Sequence, residues 1–258
     1  MGKNIMDEFK VSTIDELRKI PAEKLLKSNY TNNAMTIDPY SLPDYPWKIY
    51  AKQENNEEAL LNGFNAKEGF AFTFFSKINK KNYKELLLES PFLKDVDDLC
   101  SEYPVSNNKE AKSFYTEVFS AICFTYPHYS WTKVVREQGR PVYEYFFSKE
   151  NGGIGTNHSG EMIYAYGNVE DNKNYDDSDY ALQEIMTSYW VNFCKNGNPN
   201  GNIYKEQKNG LYEESSISLP YWQSSLESEG RLLELGSNVY MREDPYLKFY
   251  KYMKTWSE

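Results

Sequence analysis

The sequence is poor in cysteine, which narrows the classes of protein to which the chain can belong. Its 258 residues include three cysteines, Cys100, Cys123 and Cys194, in apolar or helical surroundings. Small secreted domains held by disulfides carry even numbers of cysteines at short spacings, so this odd number argues against a disulfide framework. A reducing compartment is therefore expected, with the cytoplasm favoured, although a targeting segment ahead of Met1 would change that expectation.

Clusters of basic residues and long apolar segments are also missing. The net charge is −9, and the basic residues are scattered singly along the chain. Such a distribution offers no binding surface for nucleic acid or for an anionic membrane. Residues 1–12 are polar and charged, without the apolar core of a signal peptide or a membrane span. We therefore expect no nucleic-acid partner and no membrane span.

Aromatic residues, in contrast, are abundant. They make up 16% of the chain, with 23 tyrosines and 14 phenylalanines. This composition is typical of a packed interior and not of a disordered segment. The length suits one domain with a sizeable core.

Histidine is scarce, and one of the two histidines stands in an informative place. His158 lies in a glycine-rich stretch, residues 152–168, that follows a predicted strand over residues 141–148. A histidine on a loop held by a sheet is a candidate general base, because imidazole titrates near neutral pH. The alternative is a histidine that only satisfies local hydrogen bonds. A metal hydrolase using His128 and His158 is disfavoured, since neither histidine has a partner at H-x-x-x-H spacing.

The remaining pattern mixes helices and strands. Thr13 and Glu16 have capping-box spacing ahead of a short helix, and the proline-rich residues 29–52 are expected to form a loop. The aromatic run over residues 69–76 is expected to pack in the core in preference to lining an acyl pocket, and His128 is expected in a loop. Helices are predicted over residues 14–20, 21–28, 82–88, 111–124, 178–196 and 245–256, and further strands over residues 59–64, 232–235 and 238–242.

Three strings of residues resemble one known family. The histidine loop reads Asn157-His158-Ser159-Gly160-Glu161 followed by Tyr166-Gly167-Asn168, and residues 59–75 carry Glu68 in a Glu-Gly pair after an apolar strand. Residues 188–201 read SYWVNFCKNGNPNG. Together these strings resemble the type-B carboxylesterases, the cholinesterase-like branch of the α/β-hydrolase fold. The resemblance runs from about Val11 to Trp256.

The resemblance implies a fold, a site and a reaction. The fold class is α/β, an incomplete α/β-hydrolase fold made of the C-terminal half of the sheet with its covering helices, and residues 1–258 would be a partial carboxylesterase type-B domain. Glu68 would be the acidic member and His158 the histidine of a Ser-Glu-His triad. The acid-before-histidine order agrees with the chain order of these hydrolases. We expect Glu68 and His158 within hydrogen-bond reach and Lys67 pointing away from the site.

The nucleophile of that triad is missing from the sequence. No G-x-S-x-G elbow occurs in the 258 residues. The expected function is a serine carboxylic ester hydrolase acting on small-molecule esters, for which this chain carries the acid and the histidine and a complementary N-terminal half chain would carry the serine. The alternatives are a non-catalytic cholinesterase-like interaction module and an inactive truncated product. No cofactor and no metal are expected.

Overall fold

The structure is a computed structural model that describes residues 2–30, 35–206 and 212–255. The chain divides into two units, Met1–Ile49 and Tyr50–Glu258. The first unit is made of short helices. The second contains the β-sheets and both histidines.

Three short helices begin the first unit: α1 (Gly2–Glu8), α2 (Ile14–Arg18) and α3 (Ala22–Leu25). At the start of α2, the hydroxyl oxygen of Thr13 accepts a hydrogen bond from the Glu16 amide at 3.2 Å, and the Glu16 carboxylate accepts one from the Thr13 amide at 3.2 Å. The predicted capping box is therefore confirmed. None of the residues in these three helices is buried.

The expectation of a loop over residues 29–52 is wrong in one part. A fourth helix, α4 (Pro46–Ala51), lies inside this range. Proline at the first helical position has a preset φ and needs no hydrogen-bond donor there, so Pro46 starts a helix where sequence reading took it for a loop residue. Residues 31–34 of the expected loop lie outside the described residues.

The main sheet of the second unit contains four strands in the order β1-β2-β5-β6. Strands β1, β2 and β5 are parallel, and β6 runs antiparallel to β5. Two further strands among the described residues form a separate antiparallel pair. The strands are β1 (Leu60–Asn65), β2 (Val142–Phe147), β3 (Asn202–Glu206), β4 (Tyr212–Ser218), β5 (Arg231–Leu235) and β6 (Val239–Glu243).

Strand β1 differs from its prediction at one end. The pair Asn62-Gly63 was expected to end the strand, but β1 continues to Asn65, which pairs with Phe147 of β2. A Cβ atom on Gly63 would lie 2.4 Å from the ring and carbonyl of Tyr145. Glycine at this position therefore permits a close approach between strands and does not form a turn.

Helices cover the sheet of the second unit. The predicted helices over residues 82–88 and 178–196 are confirmed, and the latter ends at Gly197 in the left-handed conformation, with φ of 68°. The helices are α5 (Phe70–Thr73), α6 (Tyr83–Leu88), α7 (Val96–Glu102), α8 (Asn108–Ser120), α9 (Tyr126–Glu137), α10 (Met162–Ala165), α11 (Asp177–Asn196) and α12 (Leu247–Tyr250).

The prediction for His128 is wrong, because the chain does not leave the helix near Pro127. A π-helical turn, Ala121–Thr125, joins α8 directly to α9, and His128 lies in the first turn of α9. Proline lacks an N–H group and its ring collides with the carbonyl four residues earlier in an α-helix. A π turn widens the helix at this point, so we attribute it to Pro127.

Two hydrophobic clusters lie on opposite faces of the main sheet. On one face, Phe64 and Phe146 pack with side chains of α8 and α12, such as Val118 and Phe249. On the other face, the strands pack against α10, α11 and the buried ring of Trp222. A mainly parallel sheet covered by helices on both faces defines the α/β class.

The C-terminal helix is shorter than predicted. Helix α12 ends at Tyr250, after which Met253 forms a β-bridge with Leu93. The amide of Lys254 donates to the carbonyl of Phe92 at 2.9 Å, so the chain beyond α12 exchanges helical hydrogen bonds for contacts with a distant segment. Trp256, the predicted end of this helix, lies outside the described residues.

Candidate active site

The candidate site lies where β1 and β2 end side by side. Glu68 follows the last residue of β1 by three positions, and His158 lies in the loop that follows β2. Since the two strands are parallel neighbours, their carboxyl ends bring both following segments to one edge of the sheet. Ligands of open α/β sheets bind at this edge.

Glu68 and His158 are in direct contact. The Nδ1 atom of His158 lies 2.5 Å from the Oε2 atom of Glu68. The expected proximity of the two residues is thus confirmed. The Glu68 side chain is 7% exposed and the His158 side chain 44% exposed. The pair therefore consists of an enclosed carboxylate and an accessible imidazole whose Nε2 atom is not used by Glu68.

Burial and hydrogen bonds act on Glu68 in opposite directions. Burial raises the pKa of Glu68, and the nearby Glu161 carboxylate raises the pKa further. The hydrogen bond from the Asn65 amide to Oε1, at 2.8 Å, and the contact with His158 both oppose that increase. The carboxylate thus has one oxygen fixed by the backbone and the other directed at the imidazole.

The two loops of the site are joined to each other by backbone contacts. Lys67 and Asn157 form a parallel β-bridge, and the Lys67 amide donates to the carbonyl of Thr156 at 3.0 Å. The Asn65 side chain donates to the carbonyl of Asn157 at 2.8 Å and also contacts the Glu161 carboxylate. These contacts set the separation between the residues adjacent to Glu68 and His158.

The backbone beside His158 needs glycine. A Cβ atom on Gly160 would lie 1.9 Å from the carbonyl oxygen of Gly155, a distance that no side chain permits. Ser159 has φ of 67°, in the left-handed region that few non-glycine residues adopt. The residues around the histidine therefore form a tight turn that displays the imidazole.

Aromatic rings enclose two sides of the imidazole. The Phe72 ring lies 5.4 Å from the His158 ring in an edge-on arrangement, and the Phe124 ring lies 5.0 Å away. Phe124 belongs to the π-helical turn, so this turn also positions the Phe124 ring beside His158. Sequence reading missed both contacts because neither ring is close to His158 in the chain.

The expectation that the aromatic run over residues 69–76 packs in the core is wrong. The exposed fractions are 43% for Phe70, 53% for Phe72, 49% for Phe74 and 90% for Phe75.

The reason lies in the polar face of α5. The Gly69 amide donates to the Ser120 hydroxyl at 2.9 Å, and the Thr73 and Thr116 hydroxyls lie 2.7 Å apart. These polar contacts hold α5 against α8, so the phenylalanines point outward.

Lys67 points away from Glu68, as expected. Its ammonium group lies 2.5 Å from the Oε1 atom of Glu150, and both side chains are more than half exposed.

Asn65 is a further residue of the site that sequence reading missed. Its place at the carboxyl end of a strand, three residues before Glu68, was a signal that could have found it.

Two classes of feature are absent from the parts of the chain that the structure covers. No group of three histidine, cysteine or acidic side chains there is arranged to hold a metal ion. No helix among the residues described is both long and apolar enough to cross a membrane.

The fold defines a class of protein. The solved structure of PNB esterase superimposes with a TM-score of 0.61 and 19% identity, covering 96% of this chain and 52% of that one. The chain therefore has an α/β-hydrolase fold, of which it contains a part, as the sequence predicted.

Sequence comparison assigns the chain to a family within that class. The Carboxylesterase family matches residues 3–253, and the chain belongs to this family. Carboxylesterase 1C of Rattus norvegicus is 22% identical over 240 residues, which cover 84% of this chain and 41% of the relative. Carboxylesterase 5A of Canis lupus familiaris is 24% identical over 266 residues, covering 92% of this chain and 43% of the relative. The chain thus spans about two fifths of the length of these relatives.

Proposed function

We propose that this chain provides the acid and the base of a serine carboxylic ester hydrolase. Glu68 is the acid, His158 is the base, and the nucleophilic serine comes from sequence outside residues 1–258. Residues 1–258 would then form the C-terminal part of a carboxylesterase domain. The serine would reside in a preceding segment or in a separate N-terminal half chain.

The contact between Glu68 and His158 carries the proposal. The 2.5 Å separation involves Nδ1, which leaves Nε2 as the ring nitrogen that would face a nucleophile. The histidine side chain is 44% exposed, so another group can reach it. A nucleophile, a base and a third group that orients the base form the arrangement on which acyl transfer by serine depends.

The reaction would proceed in two halves. In the first, His158 takes the proton of the serine hydroxyl at Nε2 while the serine oxygen attacks the ester carbonyl, and the histidine then protonates the departing alcohol. In the second half, His158 takes a proton from water, and the water oxygen attacks the acyl-enzyme. His158 then returns the proton to the serine oxygen, and the carboxylic acid product is released. Glu68 stabilises the imidazolium in both halves and holds Nδ1 in its protonated form.

The surroundings of His158 support a substrate with an apolar group. The rings of Phe72 and Phe124 border the imidazole. Three more phenylalanines close to Phe72 in the chain have exposed side chains: Phe70, Phe74 and Phe75. Apolar groups of an ester would contact such rings favourably. The relatives are carboxylesterases by name, which favours this function over the interaction module considered from the sequence.

Complementation tests the proposal. We expect the chain alone not to hydrolyse aryl esters, because the nucleophile is missing. Co-expression with an N-terminal carboxylesterase half that carries a G-x-S-x-G elbow should produce both ester hydrolysis and labelling by a serine-directed organophosphonate. In this pair, Glu68→Gln should lower kcat by about 10⁴-fold, as loss of the acidic triad member does in serine hydrolases.

Glu150→Gln is the matched control, because Glu150 is an exposed carboxylate that pairs with the neighbouring Lys67. It should leave kcat unchanged. A pair that is labelled and active but insensitive to Glu68→Gln would contradict the proposed role of Glu68. Strong ester hydrolysis by the unpaired chain would contradict the assignment of the nucleophile to sequence outside it.

A further inference from the structure

A buried polar network connects the two ends of the loop that carries His158. Lys149 and Asp179, at its centre, are 4% and 1% exposed. Placing a lysine and a carboxylate out of water is unfavourable unless both are well paired and hydrogen-bonded. The network therefore requires an explanation in terms of what it holds.

The loop that carries His158 covers residues 148–161, between β2 and α10. The centre of the network joins the start of this loop to the first turn of α11. The Lys149 ammonium lies 3.3 Å from Asp179 Oδ1 and donates to the Ser178 hydroxyl at 2.9 Å. The other oxygen of Asp179 accepts a hydrogen bond from the Asp176 amide at 2.8 Å. Asp179 therefore serves both the helix cap and the buried lysine.

Tyr164 joins the far end of the loop to the same carboxylate. It lies in α10, just beyond the loop, and its hydroxyl donates to Asp179 Oδ1 at 2.5 Å. Burial and the hydrogen bond to Asp179 raise the pKa of Tyr164 above its ordinary value, so the hydroxyl stays a donor well into alkaline pH. Both ends of the loop, at Lys149 and at Tyr164, thus converge on Asp179.

Asn151 extends the network into the loop itself. Its side-chain amide donates to the Tyr164 hydroxyl at 2.7 Å, and its side-chain oxygen accepts from the amides of Gly153 and Gly155 at 2.8 and 3.0 Å. The carbonyl of Gly155 is the group that leaves no room for a side chain on Gly160. A continuous path of contacts therefore runs from Asp179 to the turn at His158.

We infer that this network, Lys149, Asn151, Tyr164, Ser178 and Asp179, positions His158 against Glu68. The five residues are positioning residues and not catalytic ones, because none of them contacts either member of the pair. The network fixes the loop at its two ends and at the amides of Gly153 and Gly155, and the bridge between Lys67 and Asn157 is a further contact of the same loop. This inference rests on the proposed function of His158, but the geometry it concerns can be measured without any reaction.

The sharpest test removes one oxygen atom. Tyr164→Phe deletes the hydroxyl that links Asn151 to Asp179 and keeps the ring, which packs 5.2 Å from the Phe147 ring. The chain has two histidines, so a ¹⁵N-histidine-labelled sample shows few imidazole signals. The proton on His158 Nδ1, bonded to a carboxylate, should give a far-downfield resonance. In Tyr164→Phe its exchange with water should become about tenfold faster, the factor that corresponds to one lost hydrogen bond.

Tyr189→Phe is the matched control. Tyr189 is as fully buried as Tyr164, and it lies in α11, ten residues after Asp179. Its hydroxyl donates a single hydrogen bond, to the Pro220 carbonyl at 2.6 Å. Its substitution should destabilise the fold to a similar degree without touching the histidine loop. The exchange rate of the His158 proton should then equal that of the unsubstituted chain.

A second variant avoids the buried core. Asn151 lies in the loop, and Asn151→Ala should produce the same tenfold change because it removes the hydrogen bonds from the amides of Gly153 and Gly155. Equal exchange rates in the unsubstituted chain, Tyr164→Phe and Asn151→Ala would overturn the inference, and so would an equal acceleration in Tyr189→Phe. Absence of the downfield signal from the unsubstituted chain would contradict the contact with Glu68 itself. If the exchange rates change as expected but the complemented pair does not hydrolyse esters, the result would count only against the proposed function.

Discussion

The two histidines of this chain occupy opposite surroundings. His158 stands in a loop, contacts the Glu68 carboxylate and is accessible to solvent. His128 lies in α9, with its ring 6.2 Å from the Phe64 ring, and its Nδ1 atom is buried without a hydrogen-bond partner in the described ranges. Burial lowers the pKa of His128 to about 4. The same imidazole is therefore an available base in one region and a neutral interior group in the other.

The difference shows that partner and access, and not residue type, decide what a histidine can do. An enclosed carboxylate can orient the ring of His158 and stabilise its cation. His128 lacks such a carboxylate contact among the described residues, and the apolar surroundings oppose its protonation. The comparison can be tested at three levels of expected effect.

The largest effect concerns catalysis in the complemented pair. Under the proposed function, His158→Gln should lower kcat for an aryl ester by about 10⁴- to 10⁶-fold, because the nucleophile would lose its base. His128→Gln should leave kcat per labelled serine unchanged, since His128 takes no part in the site. Rates normalised to organophosphonate labelling separate chemistry from folding. Similar losses in both variants would remove the functional distinction between the two histidines.

The second effect concerns stability in acid. The folded pKa of His128 is about 4, below the 6.5 of an unperturbed histidine, so the unfolded chain binds more protons between these values. This contribution to stability is complete at neutral pH and is lost as the pH falls from 6.5 towards 4. His128→Leu should therefore remove a loss on the order of 2 kcal/mol between pH 7 and pH 4.5, measured by urea unfolding.

The carboxyls whose pKa values are raised act in the opposite direction. Burial raises the pKa of Glu68, of Asp244 and of Glu144, the last to about 8, so these groups favour the folded state at lower pH. The difference between His128→Leu and the unsubstituted chain isolates the histidine. Parallel stability curves for the two proteins would show that His128 does not titrate during unfolding.

The smallest effect concerns Lys67, the neighbour of Glu68 in sequence. Lys67→Ala removes a surface ion pair with Glu150, which should cost less than about 1 kcal/mol of stability. Because the lysine side chain faces away from the site, the downfield proton of His158 should be unchanged. A shift of that signal would show that Lys67 acts on the pair, against the outward orientation in the structure.

Much of the site could be predicted from sequence because it depends on local patterns. A predicted strand followed by a glycine-rich stretch placed His158 in a loop, and an apolar strand followed by a Glu-Gly pair placed Glu68 at its end. The resemblance to the type-B carboxylesterases implied that Glu68 and His158 would be in contact, and the structure places them beyond the ends of two neighbouring parallel strands. The expectation for His128 failed because the helix predicted to end at residue 124 continues through a π turn into α9.

The sequence by itself determined the strands β1 and β2, the long helix α11, and the positions of Glu68 and His158 beyond two strands, since each depends on periodicity or on residues close in the chain. The tertiary structure alone decided that Phe72 and Phe124 border the imidazole, that the phenylalanines of α5 point outward, and that Lys149 meets Asp179. Those contacts join residues far apart in the chain, and no local pattern specifies them. They arise from the packing of α5 on α8 and from the hydrogen bonds that a buried charge requires.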